Sequence, residues 1–335
     1  MAYETEDQET QYCFPNINSS CIKGKRSKHE YNTMYMFFSL LSAWTVFLNL
    51  LVIISISHFK KLHTPTNMII LSLAVADLLV GLIVMPVEAI KLIETCWYFG
   101  DTFCGLFLTI MALLGSTSLS NLVLIAVDRY VAVCHPLLYP QKITITKTLI
   151  SICLCWIFSS AYSTVVIVQN KHSDSSQRTD LCYGECSFNP SFIYIVINEI
   201  YYFVLPCTVI ITAYMRIFYV AFKQVKVINS LMKSGKCVTE GSVKRKSEHK
   251  AALTLGIIVT VYLLCYIPYY ILSIIGPTVI SLDTMTYLLW AFYGSCALNP
   301  LIYALFYRWF KISVKHILTL KILEPASSLL DIFTG

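Results

Sequence analysis

Residues 101–139 read DTFCGLFLTIMALLGSTSLSNLVLIAVDRYVAVCHPLLY, and this stretch decides the architecture. Between Thr102 and Val127 there is no Asp, Glu, Lys or Arg. At 1.5 Å of rise per residue, a helix from Cys104 to Arg129 is about 37 Å long, enough to cross a hydrocarbon core about 30 Å thick. One end carries a thiol that a disulfide can fasten. The other carries an acid and a base, Asp128 and Arg129, that can exchange partners.

Six more windows of this kind surround it, each with at most one charged residue: Tyr31 to Phe59, Leu62 to Val87, Thr148 to Asn170, Cys186 to Met215, Ala251 to Leu282 and Thr284 to Tyr307. Charged residues make up only 13% of the 335, against roughly a quarter in soluble domains, and the mean hydropathy is +0.66. Backbone groups left unpaired in hydrocarbon are too costly, so each window is expected to be a helix. The predicted fold is an all-α membrane protein. It comprises an N-terminal segment (1–30), a seven-transmembrane helix bundle (31–307) and a tail (308–335). In the tail, Arg308 to Lys321 sets Trp309, Phe310, Ile312, Ile317, Leu318 and Leu320 against four basic residues, the pattern of a short amphipathic eighth helix on a lipid surface. No cysteine follows Cys296, so no palmitoyl anchor is expected there.

Eighteen of the 25 lysines and arginines fall on the side of Arg129 and the tail, which predicts that side as cytoplasmic and the N-terminus as outside. The basic cluster before the first window opposes that choice locally and is outvoted. The net charge of +6 then reflects attraction to anionic inner-leaflet lipid; nothing indicates nucleic acid. The acidic N-terminus lacks the basic and apolar regions of a cleavable signal, so the first helix is the expected insertion signal. Six cysteines, Cys13, Cys21, Cys96, Cys104, Cys182 and Cys186, lie on the outer side, where disulfides persist, and six thiols allow fifteen pairings. Asn18-Ser19-Ser20 is a glycosylation sequon on the same side.

Inside the windows, Asn49, Asp77, Ser118, Glu199 and Asn299 are the polar residues that need an explanation, because a carboxylate at membrane depth is costly and usually functional. Pro206, Pro268 and Pro300 interrupt apolar helices beside tyrosines, and each frees a carbonyl and lets its helix bend. The long loop near 223–250 is Lys- and Ser-rich, with Glu248 the one acid at its end beside Lys244, Arg245 and Lys246. The seven histidines form no metal-binding pair, and there is no Gly-x-Ser-x-Gly elbow; neither an intramembrane enzyme nor, without an inverted repeat, a transporter is expected.

In this combination the chain resembles the class A, rhodopsin-like G-protein-coupled receptors: Asn49; Leu73-Ala74-Val75-Ala76-Asp77; Cys104; Asp128-Arg129-Tyr130; Trp156; Pro206 with Tyr214; Cys265-Tyr266-Ile267-Pro268; Asn299-Pro300-Leu301-Ile302-Tyr303. More narrowly, Cys13-Phe14-Pro15, Cys96-Trp97-Tyr98-Phe99-Gly100 and Tyr303 through Tyr307 to Trp309-Phe310 are similar to the trace amine-associated receptors. The resemblance implies a disulfide from Cys104 to Cys186, leaving Cys182 for Cys13 or Cys21. It also implies a resting contact of Arg129 with Asp128 and Glu248, broken as the sixth helix swings outward and admits a Gα helix. Tyr130, Tyr214, Tyr266, Pro268, Asn299, Pro300 and Tyr303 complete the switch, with Tyr266 in place of the family's tryptophan. No cofactor is implied beyond an allosteric sodium ion at Asp77, Ser118 and Asn299, although Ser295 and Cys296 depart from the usual lining of that site.

Amine receptors of this type place an Asp on the third helix as counter-ion; counting back from Arg129, that position is Met111. The fifth window supplies Glu199, about two turns outward of Pro206, as the expected substitute. Phe188, Tyr269, Tyr270, Trp290 and Tyr293 would surround the cation with ring faces. Glu88 is a candidate second counter-ion for a diamine. The implied function is a chemosensory receptor for volatile or trace amines or diamines, acting through a Gs or Golf protein on cyclic AMP. Arrestin and receptor kinases are further partners, and the plasma membrane, including cilia of olfactory neurons, is the expected location. The alternative is a class A receptor for a non-amine ligand.

Overall fold

The computed structural model describes residues 11–177, 182–186, 192–233, 256–257, 259–268, 271, 282–306, 308–324 and 327–329. The architecture is an all-α seven-helix membrane bundle with a short eighth helix; among the described residues there is no strand beyond two isolated bridges. Helix α1 spans Lys28–His58, α2 Pro65–Glu94, α3 Gly100–Cys134 and α4 Ile145–Gln177. Helix α5 runs through Phe192–Glu199, Ile200–Val204 and Leu205–Lys233. The described part of α6 is Val259–Pro268, α7 is Leu282–Phe306 and α8 is Arg308–Leu318. Helices α1 to α5 each contain a stretch long and apolar enough to cross a membrane.

Local chemistry sets the ends. Ser27 caps α1 reciprocally with Glu30: the Glu30 backbone N–H donates to Ser27 Oγ (3.2 Å), and the Ser27 N–H donates to Glu30 Oε2 (2.8 Å). Thr64 caps α2 with Pro65 at its first position, and Thr95, at φ 55°, stops it. In α8, Trp309, Phe310 and Ser313 are buried while Lys311 and Lys315 are exposed, and the helix packs against α1 and α7. Its apolar face is therefore shared between the bundle and, through the exposed Leu318 and Leu320, its surroundings.

Two helices widen to π turns, at Val80–Val84 in α2 and Ile200–Val204 in α5. Each lies just before a proline, Pro86 and Pro206, whose ring would clash with the carbonyl four residues back; a wider turn takes up the mismatch. Pro206 was anticipated as a bend. Pro86 was not, because it falls at the end of its apolar window.

The core has two halves. Towards the Arg129 end, Val52, Ile70, Leu122, Ile210, Tyr214, Tyr262 and Tyr266 pack together. Towards the cysteine-bridged end, Phe38, Val84, Met85, Phe107, Trp290 and Tyr293 form the other half. Trp156, half-buried on α4, donates from Nε1 to Ser72 Oγ of α2 (3.0 Å) and packs against the second half of the core.

Candidate functional site

The bundle's polar middle is built around Asp77 on α2, which is 1% exposed. Its Oδ2 accepts from Asn299 Nδ2 (2.8 Å) and its Oδ1 from Ser118 Oγ (3.3 Å), joining α2, α3 and α7. Asn49 Nδ2 donates to the Cys296 carbonyl (3.1 Å), adding α1. These residues offer a hard cation a carboxylate, a hydroxyl and an amide, the oxygen donors it prefers. The fit is partial, because the Asn299 amide presents nitrogen to Asp77 and the neighbouring Cys296 contributes a sulfur.

At the Arg129 end, Asp128 and Arg129 are 3% and 6% exposed. Arg129 Nη2 lies 2.6 Å from Asp128 Oδ2 and also contacts the Thr66 hydroxyl. Asp128 accepts two further hydrogen bonds, from Thr66 Oγ1 on α2 (2.8 Å) and from the Tyr139 hydroxyl (2.9 Å), which belongs to the turn between α3 and α4. Burial, reinforced by the Asp128 charge, pushes the Tyr139 phenol up to about 12, so it stays a donor at any physiological pH. Thr66 and Tyr139 were not anticipated. The chain reverses after Cys134, so their approach depends on the loop path rather than on helical period. Glu248, the other expected partner of Arg129, lies outside the described residues.

The residues to which the resemblance assigns a switching role lie on the following helices. Tyr266 on α6 is buried, stacks on Tyr262 (3.6 Å) and lies at a tilt against Phe292 of α7 (3.9 Å). Tyr214 is buried, Pro268 half-buried and Pro300 buried inside α7. Tyr130 packs edge-on to His135 (5.6 Å), and Tyr303 lies on α7 with its side chain outside the described set.

At the cysteine-bridged end, three disulfides converge. Cys104 at the start of α3 is joined to Cys186, Cys182 to Cys21, and Cys13 to Cys96. The N-terminal segment is thereby folded over this end. The Cys13 N–H donates to the Cys21 carbonyl, the Cys21 N–H to the Tyr183 carbonyl, and the Trp97 N–H to the Gly184 carbonyl. Lys23 Nζ lies 2.6 Å from Glu94 Oε2, and this bond holds the ammonium well above the ordinary lysine range. Asn18 is exposed within the segment.

Beneath this clasp, Met111 on α3 packs in one apolar cluster with Trp290 and Tyr293 of α7. Phe38 of α1 stacks on Trp290 at 3.5 Å, which leaves only the other indole face for a cation. Glu199, on α5 at the edge of its wide turn, is 8% exposed, and the part of α5 beyond that turn, Leu205–Lys233, packs along α3. Glu88 on α2 is 6% exposed beside Lys91. Phe188, Tyr269 and Tyr270 lie outside the described residues. Met111, Trp290 and Tyr293 thus present an apolar and aromatic surface, and Glu88 and Glu199 are the buried carboxyls on α2 and α5.

Comparison with known proteins gives a consistent outcome. The family described as 7 transmembrane receptor (rhodopsin family) matches residues 48–303. The chain is 39% identical over 338 residues to trace amine-associated receptor 13c of Danio rerio, covering 98% of each chain. It is 39% identical to trace amine-associated receptor 8a of Rattus norvegicus, covering 97% of each, and 36% identical to trace amine-associated receptor 6 of Pan troglodytes, covering 97% of this chain and 96% of that one.

Proposed function

Because the chain belongs to the rhodopsin family of seven-transmembrane receptors, and within it to the trace amine-associated receptors, we propose that it binds a protonated amine at Glu199 and passes the signal to a heterotrimeric G protein of the Gs or Golf type, raising cyclic AMP. The observation that carries this reading is a carboxyl more than nine-tenths buried in the apolar fifth helix, in a chain whose third helix has Met111 where amine receptors of this type place an acid. A carboxyl at that depth is favoured as the anion when a cation is brought to it. An ammonium ion supplies that cation, and ring faces such as Tyr293 each add about 0.5–2 kcal/mol.

The cysteine-bridged end faces outward in this reading and the Arg129 end faces the cytoplasm. Occupation of the cavity acts on the wide turn of α5 and on the Tyr266 stack between α6 and α7. Outward movement of α6 then opens the Arg129 end, Arg129 leaves Asp128, and the Gα C-terminal helix enters. Detection of volatile amines in olfactory cilia, with arrestin and receptor kinases ending the signal, is the physiological setting that fits.

The test is a cyclic AMP dose–response over a panel of amines at matched surface expression. Glu199→Gln abolishes the response, whereas Met111→Ala leaves it largely intact. An unchanged curve for Glu199→Gln removes the proposal.

A further inference from the structure

The chain beyond α8 folds back onto the start of the bundle. Leu320 adopts φ 56°, a left-handed backbone that a leucine rarely takes, while its side chain is 68% exposed and gains little from packing. A strained residue of this kind persists only where its neighbours hold it. Those neighbours are two short turns, Lys321–Leu323 and Ser327–Leu329, which pack on each other. The second also packs on the turn Lys60–Leu62 that joins α1 to α2.

Ser327 fastens the contact. It is 5% exposed, and its hydroxyl donates to the Ile322 carbonyl (2.7 Å). With its one proton used there, it meets His58 Nε2, at the end of α1, as an acceptor (3.0 Å). Beside it Phe59, 1% exposed, packs edge-on to His58 (5.0 Å) and to His316 of α8 (6.4 Å). The same turn is tied to α2. The Leu62 carbonyl accepts from Asn67 Nδ2 (2.9 Å), and the Thr64 hydroxyl caps the helix by accepting from the Asn67 N–H (3.3 Å). Between those two residues stands Thr66, whose hydroxyl donates to Asp128 Oδ2 (2.8 Å). A continuous run of contacts therefore leads from the tail, through the Lys60–Leu62 turn, to the residue that frames Asp128 and Arg129.

We propose that the two tail turns are an intramolecular brace: docked on Lys60–Leu62, they hold the first turn of α2, and with it the Thr66–Asp128 bond, in the position that keeps Arg129 in place. The proposal rests on the reading that Arg129 leaves Asp128 when the receptor opens. Withdrawal of the brace loosens Thr66 and raises nucleotide exchange on the G protein without agonist. The step breaks the His58–Ser327 hydrogen bond, with no covalent change. The partner of the Lys60–Leu62 surface is thus the chain's own tail, and anything that draws the tail away acts on Arg129 from outside the ligand cavity.

The experiment uses the full-length receptor in detergent and reads two quantities: agonist-free nucleotide exchange on added Gα, and amide hydrogen exchange over residues 59–67. Ser327→Arg cannot seat its longer, charged side chain in the enclosed site, whereas Ser327→Ala removes only the hydroxyl. Ser327→Arg speeds hydrogen exchange over 59–67 about tenfold and raises nucleotide exchange about threefold, with Ser327→Ala smaller in both. Thr66→Val raises nucleotide exchange by itself, and Ser327→Arg adds nothing further in that background. Unchanged hydrogen exchange in Ser327→Arg means that the turns are not docked. Faster hydrogen exchange with unchanged nucleotide exchange means that they dock without bracing, and a rise that adds in full to that of Thr66→Val means that the effect travels by another route. Each of these overturns the proposal while a rise in Thr66→Val alone keeps the reading of Arg129. No rise in Thr66→Val removes that reading and the brace together. If Ser327→Arg fails to express, Ser327→Ala and His58→Leu are judged by the same criteria.

Discussion

Asp128 is held by more than its neighbour in sequence. Thr66, Tyr139 and Arg129 all converge on it, so the arginine is stabilised against release by a hydrogen-bonded frame drawn from α2 and from the turn after α3. Tyr139→Phe keeps the ring and removes one hydrogen bond, worth about 0.5–1.5 kcal/mol. Agonist-free nucleotide exchange on added Gα should therefore rise several-fold at unchanged expression; no rise would place Tyr139 outside the resting lock. The bond is also insensitive to ordinary pH. The folded phenol titrates near 12, above the unfolded value of about 10, so its contribution is complete below pH 10 and is lost only as pH rises through 12. Wild-type basal exchange between pH 6 and 9 should consequently show no step that Tyr139→Phe removes. The sequence displayed Asp128, Arg129, Asp77 and Glu199 plainly, since a charge in an apolar run stands out on composition alone. Tyr139 and Thr66 were hidden because neither is unusual for its surroundings.

Among the elements, the wide turns of α2 and α5 shift the winding of the helix segments next to Glu88 and Glu199. Restoring a regular winding at Ile200–Val204 would rotate the helix above it by roughly 100°, the angle of one residue. Pro206→Ala, which restores the missing N–H, should move the amine half-maximal concentration by at least about tenfold with the protein still at the surface; an unmoved curve would show that the turn persists without the proline. Helix existence was legible throughout, because windows such as Tyr31 to Phe59 anticipate α1 at Lys28–His58 within a few residues. Local winding was not, since the spacing of apolar residues is insensitive to one extra residue per turn. The N-terminal clasp behaves as another element. Its Cys13–Cys96 bridge closes a loop of 83 residues, and long loops give the larger entropic gain. The Cys13→Ser, Cys96→Ser pair should cost about 2–4 kcal/mol, read as a lowered Tm in detergent, with amine binding retained at low temperature.

At the scale of the whole molecule, orientation rests on the distribution of lysine and arginine, and the exposed Asn18 offers a direct check. Asn18→Gln should abolish an endoglycosidase-sensitive shift in electrophoretic mobility; a shift that persists, or one never present in wild type, would leave the outward N-terminus without that support. The seven crossings and the family were readable because apolar length and a few spaced motifs are carried by single residues. The bridges were not, since fifteen pairings fit six thiols and only the folded path of the N-terminal segment chooses among them. That path has a consequence for biosynthesis. Cys13 and Cys21 leave the ribosome early, yet their partners are Cys96 and Cys182, and Cys104 waits for Cys186. Two of the three bridges cannot close until the chain has been translated past the fourth crossing. In the proposed orientation the receptor therefore carries reactive thiols into the lumen of the endoplasmic reticulum for much of its translation, and its yield in any host should depend on oxidoreductases that keep those early cysteines from pairing with each other.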